Sequence, residues 1–213
     1  MTAPDPARPG GDRGEEMEAR MSKQPGPEEI LDFWLQEVGP EGWYKADEAL
    51  DESVRERFGD LWREARAGAF EVWRAQPARC LALLILLDQF PRNMFRGSAE
   101  AFSTDARALR TAKIAVLHGH DLATKGRERQ FFYLPMMHSE TLQDQDHAVR
   151  LFACRMKEEG GDNVLHARAH REIIRRFGRF PHRNAALGRE TTPPEAAFIE
   201  KGGYGAVLEE LAA

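Results

Sequence analysis

Long apolar runs are missing from this chain. The longest, Cys80 to Leu87, is eight residues, whereas a membrane-spanning helix needs roughly 20, so no membrane association is expected. Cysteine is scarce, with only Cys80 and Cys154 among 213 residues. Both fall in apolar helical surroundings, and both are expected to be reduced core residues of a cytoplasmic protein rather than a disulfide. Strand-like alternation of any length is absent, and no hairpin dipeptide separates β-branched runs. The chain also has no GxSxG elbow, no HExxH, no paired CxxC and no GxxxxGK[ST] loop, so nothing in it names a nucleophile, a metal site or a cofactor. None of these is expected. A formal net charge of −5 argues against an extended nucleic-acid surface.

The first 26 residues are rich in proline, glycine and charge and contain no apolar stretch, so they cannot bury enough surface to order themselves and are expected to form a disordered tail. They hold no secretory core segment either. Translation starts at Met1, Met17 and Met21 are all compatible with this composition.

What is present from Pro27 onward is helical patterning. Pro27, Glu28 and Glu29 form a helix start, followed by an apolar stripe of Ile30, Phe33, Trp34 and Val38 that ends at Gly39-Pro40. Leu50, Val54, Phe58, Leu61 and Ala65 recur at steps of four and three. Arg79 to Phe90 is apolar nearly all round and is expected to be the buried central helix. Its end places Asp88 near a C-terminus that disfavours negative charge, and Arg92 or Arg96 is the expected partner. Thr104 is read as the cap of a helix reaching Leu117, with Ala106, Leu109, Ala112 and Val116 inward. Pro135 should interrupt a run beginning near Arg127, just before His138 and Glu140. Leu142, Val149, Phe152, Ala153 and Met156 mark the next inward face, and Thr192 with Glu195 forms a capping box. The expected fold is all-α, with residues 27–213 forming one domain of helical hairpins stacked as a bundle or short superhelix.

The densest charge lies between Val164 and Arg189, where seven arginines and one acid, Glu172, leave a local charge of +6. A helix here carries Leu165, His166, Ala169, His170, Ile173, Ile174 and Phe177 on one inward face, capped by Asp162 or Asn163 and closed by Gly178. Pro181 then sets a rigid turn presenting Arg179, His182 and Arg183. Such a cluster either closes on itself as ion pairs or holds something anionic.

The segments ILDFW, LLDQFPRNMFRG with AFSTD, FFYLPMMHSE, and RRFGRFPHRNAALGR with TTPPE, in this order and spacing, resemble the DUF924 family over roughly Glu28 to Gly203. The resemblance implies an all-helical fold similar to tetratricopeptide-like superhelices and carries no settled activity. At Met136-Met137 the chain departs from the family pattern, which has a bulkier aromatic and an acidic residue there.

Asp88, Arg92, His138, Glu140, His170, Arg179, His182 and Arg183 are thus expected to line one pocket for a small anionic molecule or an acidic protein segment. The alternative is an enzyme using histidine and carboxylate groups for proton transfer, with arginine stabilising charge. The i, i+4 pair His166 and His170 has the spacing of a metal chelate, but without HExxH it reads as core or supporting residues.

Overall fold

The computed structural model describes residues 25–158 and 160–213. All but the last two residues of the expected N-terminal tail lie outside that range. Among the described residues every regular element is a helix, as the missing strand alternation leads one to expect.

The first helix, α1, runs Pro27–Asp32 and continues as a π-helical stretch, Phe33–Val38. Its stripe of Ile30, Phe33 and Trp34 is buried. α2, Glu48–Ala67, starts on Asp47, whose carboxylate accepts from the Ala49 and Leu50 amides at 2.9 and 3.2 Å. It stops at Gly68, where φ is 108°, a left-handed conformation that a side chain would strain. α4 is Asp105–Leu117, α5 Leu142–Arg155 and α6 Asn163–Phe177. α7, Pro193–Glu200, carries the expected Thr192–Glu195 capping box, and α8, Gly203–Ala212, closes the chain.

The central helix, α3, differs most from its sequence reading. It begins at Pro77, and its α-helical part Pro77–Leu84 passes into a π-helical turn, Ile85–Gln89, and then into Phe90–Met94. Every residue from Cys80 to Pro91 is buried. The helix does not end at Phe90 as expected but runs on through Pro91, because the wider π turn relieves the clash the proline ring would make with the preceding turn. The proline still has no N–H for the Leu87 carbonyl four residues back, and the Thr104 hydroxyl supplies that bond at 2.6 Å. Thr104 is therefore not a side-chain cap of α4. Asp88 sits inside the continued helix rather than near its end.

Two clusters form the core. The larger joins α1, α2, α3, α4, α5 and the segment Phe131 to Met137; the smaller is Ala169, Ile173, Ile174, Phe180 and Val207. α6 belongs to both, through Ala167 on one side and Ala169 on the other. Three inward assignments shift. In α4 the buried face is Ala108, Thr111, Ala112 and Ala115, and Ala106 is exposed. Leu142, in the first turn of α5, is exposed, and Cys154 is exposed rather than in the core. Both cysteines are free thiols. No helix among the described residues is long and apolar enough to cross a membrane.

Candidate functional site

A cavity of about 650 Å³ opens at the seam between the two cores. One wall is the last part of α3, where Gln89, Arg92 and Asn93 share a face that Arg96 continues in the following turn. The opposite wall is α6, with Asn163, His166 and His170 at i, i+3 and i+7. Leu134, Met137 and His138 come from a short helix, Leu134–Met137, and its C-cap. Trp43, Tyr44 and Lys45, with His182 and Tyr204, complete the rim. Among the described residues the wall thus contains three permanent cations and four histidines, and no carboxylate.

The acids stand behind the wall. Asp88 is 1% exposed; its carboxylate accepts from His138 Nδ1 at 2.8 Å and from Gln89 Nε2 at 2.5 Å, with Arg92 at 3.9 Å. Burial alone would push this carboxyl up, but His138 and Arg92 outweigh it and hold Asp88 below the usual carboxylate range. Its main partner is therefore His138, fifty residues away, rather than the expected Arg92 or Arg96. Arg96 instead grips the buried Asp51 with two bonds of 2.8 Å, and Asn93 donates to the same acid at 2.9 Å.

Arg92 donates to Asp105 at 2.8 Å and to the Ala101 carbonyl at 2.5 Å. Arg183 lies directly behind it, donating to the His138 carbonyl at 3.1 Å and to Asp105 at 3.4 Å. Its guanidinium is sandwiched by Phe102 and Phe180, 4.8 and 4.4 Å from their ring centres. Burial and the Arg92 charge lower the Arg183 pKa to about 10, while burial raises that of Asp105 in spite of Arg92. Among the described residues, Lys45, Arg92, Arg96 and Arg183 at and behind the wall stand against Asp51, Asp88 and Asp105, a surplus of one positive charge before any histidine is protonated.

The histidines are individually fixed. His170 Nδ1 donates to the His166 carbonyl at 2.9 Å, and burial lowers its pKa to about 3. It stays neutral, with Nε2 as an acceptor. His166 Nδ1 shares a 2.5 Å hydrogen bond with the Tyr204 hydroxyl, whose pKa burial pushes up to about 12. The sequence places both histidines on the inward face of the helix; in the structure they are half-buried and line the cavity. His182 stands at the exposed rim.

Of the eight residues the sequence singles out, Arg92, His138, His170 and His182 reach the cavity, and Asp88 and Arg183 support it from behind. Glu140 and Arg179 do not join them. Glu140 accepts two bonds from Arg189, at 2.7 and 3.1 Å, and one from the Phe180 amide at 2.8 Å, and so pins the Pro181 turn. Arg179 is bidentate to the buried Glu195 at 2.6 and 2.8 Å, on another face. Arg175 and Arg176 pair with Glu172, and Arg176 also with Glu210. Much of the +6 is thereby neutralised in ion pairs, the closed-network alternative. Sequence reasoning missed Lys45, Asn93, Arg96 and Tyr204 as cavity residues. The spacing Gln89, Arg92, Asn93, Arg96 is a helical stripe, hidden because the apolar pattern of the central helix stops at Phe90. Among the described residues no group of three or more His, Cys, Asp or Glu is arranged to hold a metal ion.

Comparison with known proteins agrees with this architecture. The solved structure of a protein of unknown function from Agrobacterium tumefaciens is similar, with a TM-score of 0.77 and 42% sequence identity over 82% of this chain and 97% of that one. No curated protein matches. A family model described as a bacterial protein of unknown function, DUF924, matches residues 30–203. That span contains α1 through α7 almost entire and every cavity residue except Tyr204, and the chain belongs to the DUF924 family.

Proposed function

We propose that the protein binds a small organic anion in the cavity between α3 and α6. The observation that carries this reading is the composition of the wall among the described residues: Lys45, Arg92 and Arg96 with four histidines and no carboxylate. Arg92 and Arg96 are held in place by Asp105 and Asp51, so their remaining N–H groups are pre-oriented and lose little entropy on meeting a carboxylate or phosphate. Trp43, Leu134 and Met137 offer apolar surface for the rest of the molecule. A volume of about 650 Å³ falls within the roughly 300–1,000 Å³ of small-molecule pockets and favours a metabolite over an acidic protein segment.

Thermal melts of the full chain with phosphate, glutarate and a neutral amide control test the reading. An anion at about ten times its Kd contributes about 1.4 kcal/mol, a rise of about 3–5 °C for a chain of this size. The amide is expected to give none. Equal responses to amide and anions, or no response to either anion, contradict it.

A further inference from the structure

Resting on that binding reading, we propose that the cavity is also a catalytic site, in which His138 is the general base for hydrolysis of an ester bond in a small anionic substrate and Asp88 is its positioning residue. The geometry is that of an oriented base. His138 Nδ1 meets the buried Asp88 at 2.8 Å, so Nδ1 carries the proton and the neutral ring is basic at Nε2. The ring lines the cavity while its Nδ1 edge faces a fully buried carboxylate, which puts Nε2 on the cavity side. Asp88 is itself held by Gln89, and the His138 carbonyl by Arg183. The imidazole is thus fixed at both its ring and its backbone.

The choice of hydrolysis follows from what else lines the cavity. Among the described residues no serine, threonine or cysteine lines the cavity to carry an acyl intermediate, and water is the nucleophile of the proposed step. Among the described residues no carboxylate pair lines it for glycoside cleavage. His170 has its only ring proton on the His166 carbonyl and donates nothing to substrate. In the step, His138 Nε2 takes a proton from water as the water oxygen bonds to the ester carbonyl carbon. Negative charge develops on the carbonyl oxygen beside Arg92 and Lys45, and the imidazolium is stabilised by Asp88. The carbon–oxygen bond to the leaving alcohol then breaks, and His138 returns its proton to the departing oxygen. One ester and one water become one acid and one alcohol.

The test uses the full chain with mono-p-nitrophenyl glutarate, which carries a carboxylate, and p-nitrophenyl acetate, which does not. Wild type is expected to favour the charged ester in kcat/KM by about tenfold or more, and to slow about two- to threefold in heavy water, as rate-limiting proton transfer to a base requires. Its rate should rise with pH along a single ionisation. H138Q should lose about 10²- to 10⁴-fold, and D88N should both slow the reaction and move the midpoint of the pH profile, a shift that a merely structural role would not give. Turnover in H138Q equal to wild type overturns the proposal, as does the absence of hydrolysis above background in wild type. If glutarate still raises the melting temperature of a wild type that hydrolyses neither ester, catalysis fails and anion binding stands; if glutarate has no effect either, both fail.

Discussion

Thr104 Oγ1 donates a 2.6 Å hydrogen bond to the Leu87 carbonyl, the group that Pro91, lacking an N–H, leaves without its usual helical donor. This side-chain substitution lets α3 run through a proline and carries Arg92 and Asn93 onto the cavity face. Thr104→Val keeps the volume but strands a buried acceptor, and is expected to cost about 1–3 kcal/mol. Thr104→Ser should recover most of that loss. Urea unfolding of the two variants checks it, and Val matching wild type would show that the Leu87 carbonyl needs no partner.

Arg183 is expected to act as a brace rather than a ligand. It is 6% exposed, sits between two aromatic rings and joins Asp105 to the His138 carbonyl. Arg183→Gln should destabilise by about 2–4 kcal/mol, because it leaves the half-buried Asp105 and the His138 carbonyl short of a partner and opens space between the rings. A melt indistinguishable from wild type would instead mark this arginine as one held ready for a ligand.

His170 should steepen the acid limb of the stability curve. Its folded pKa is about 3 against an ordinary 6.5, so below pH 6.5 the unfolded chain takes up a proton that the folded chain refuses. The stability is complete above 6.5 and falls as pH drops toward 3, by up to about 1.4 kcal/mol per pH unit for one such group. His170→Asn, whose amide can keep the bond to the His166 carbonyl, should flatten that limb in denaturant titrations below pH 6.5. An unchanged slope would mean that His170 protonates freely in the fold.

Glu140 works in the opposite sense to a ligand-binding group. Burial pushes its carboxyl up, yet Arg189 and the Phe180 amide outweigh this and hold it below the usual value, so its contribution is present above about pH 4.3 and is lost as pH falls through its folded pKa. Glu140→Gln should cost about 1–3 kcal/mol at neutral pH, since the bonds from Arg189 and Phe180 to a charged acceptor are replaced by weaker ones. The variant should also lose part of its dependence on pH below that value. Chemical unfolding at neutral and acid pH measures both.

The helices themselves were legible because apolar spacing records which face is buried: Ile30, Phe33 and Trp34, or Val54, Phe58 and Leu61, need no tertiary information. The run from Cys80 announced the central helix for the same reason. Its far end was not legible, because a π turn and a hydroxyl from Thr104 cancel the local meaning of Pro91. Partnerships were the least readable feature. Asp88 meets His138 fifty positions on, and Arg96 meets Asp51 forty-five positions back; neither pairing leaves a trace in periodicity. The arginine excess was visible as a number, but Asp105, Glu140, Glu195 and Glu210, the acids that consume much of it, come from distant elements or beyond the cluster. Lys45 and Tyr204 join the cavity only through the fold.

The central claim, that the seam between α3 and α6 holds a small anion, is tested most directly by calorimetric titration of glutarate into wild type, Arg96→Gln and Arg179→Gln. Wild type should bind saturably at one site. Arg96→Gln should weaken binding by about tenfold, about 1.4 kcal/mol, while Arg179→Gln, whose guanidinium is committed to Glu195 on another face, should bind as wild type does. Absence of saturable heat in wild type, or an equal loss in both variants, would contradict the assignment of this cavity.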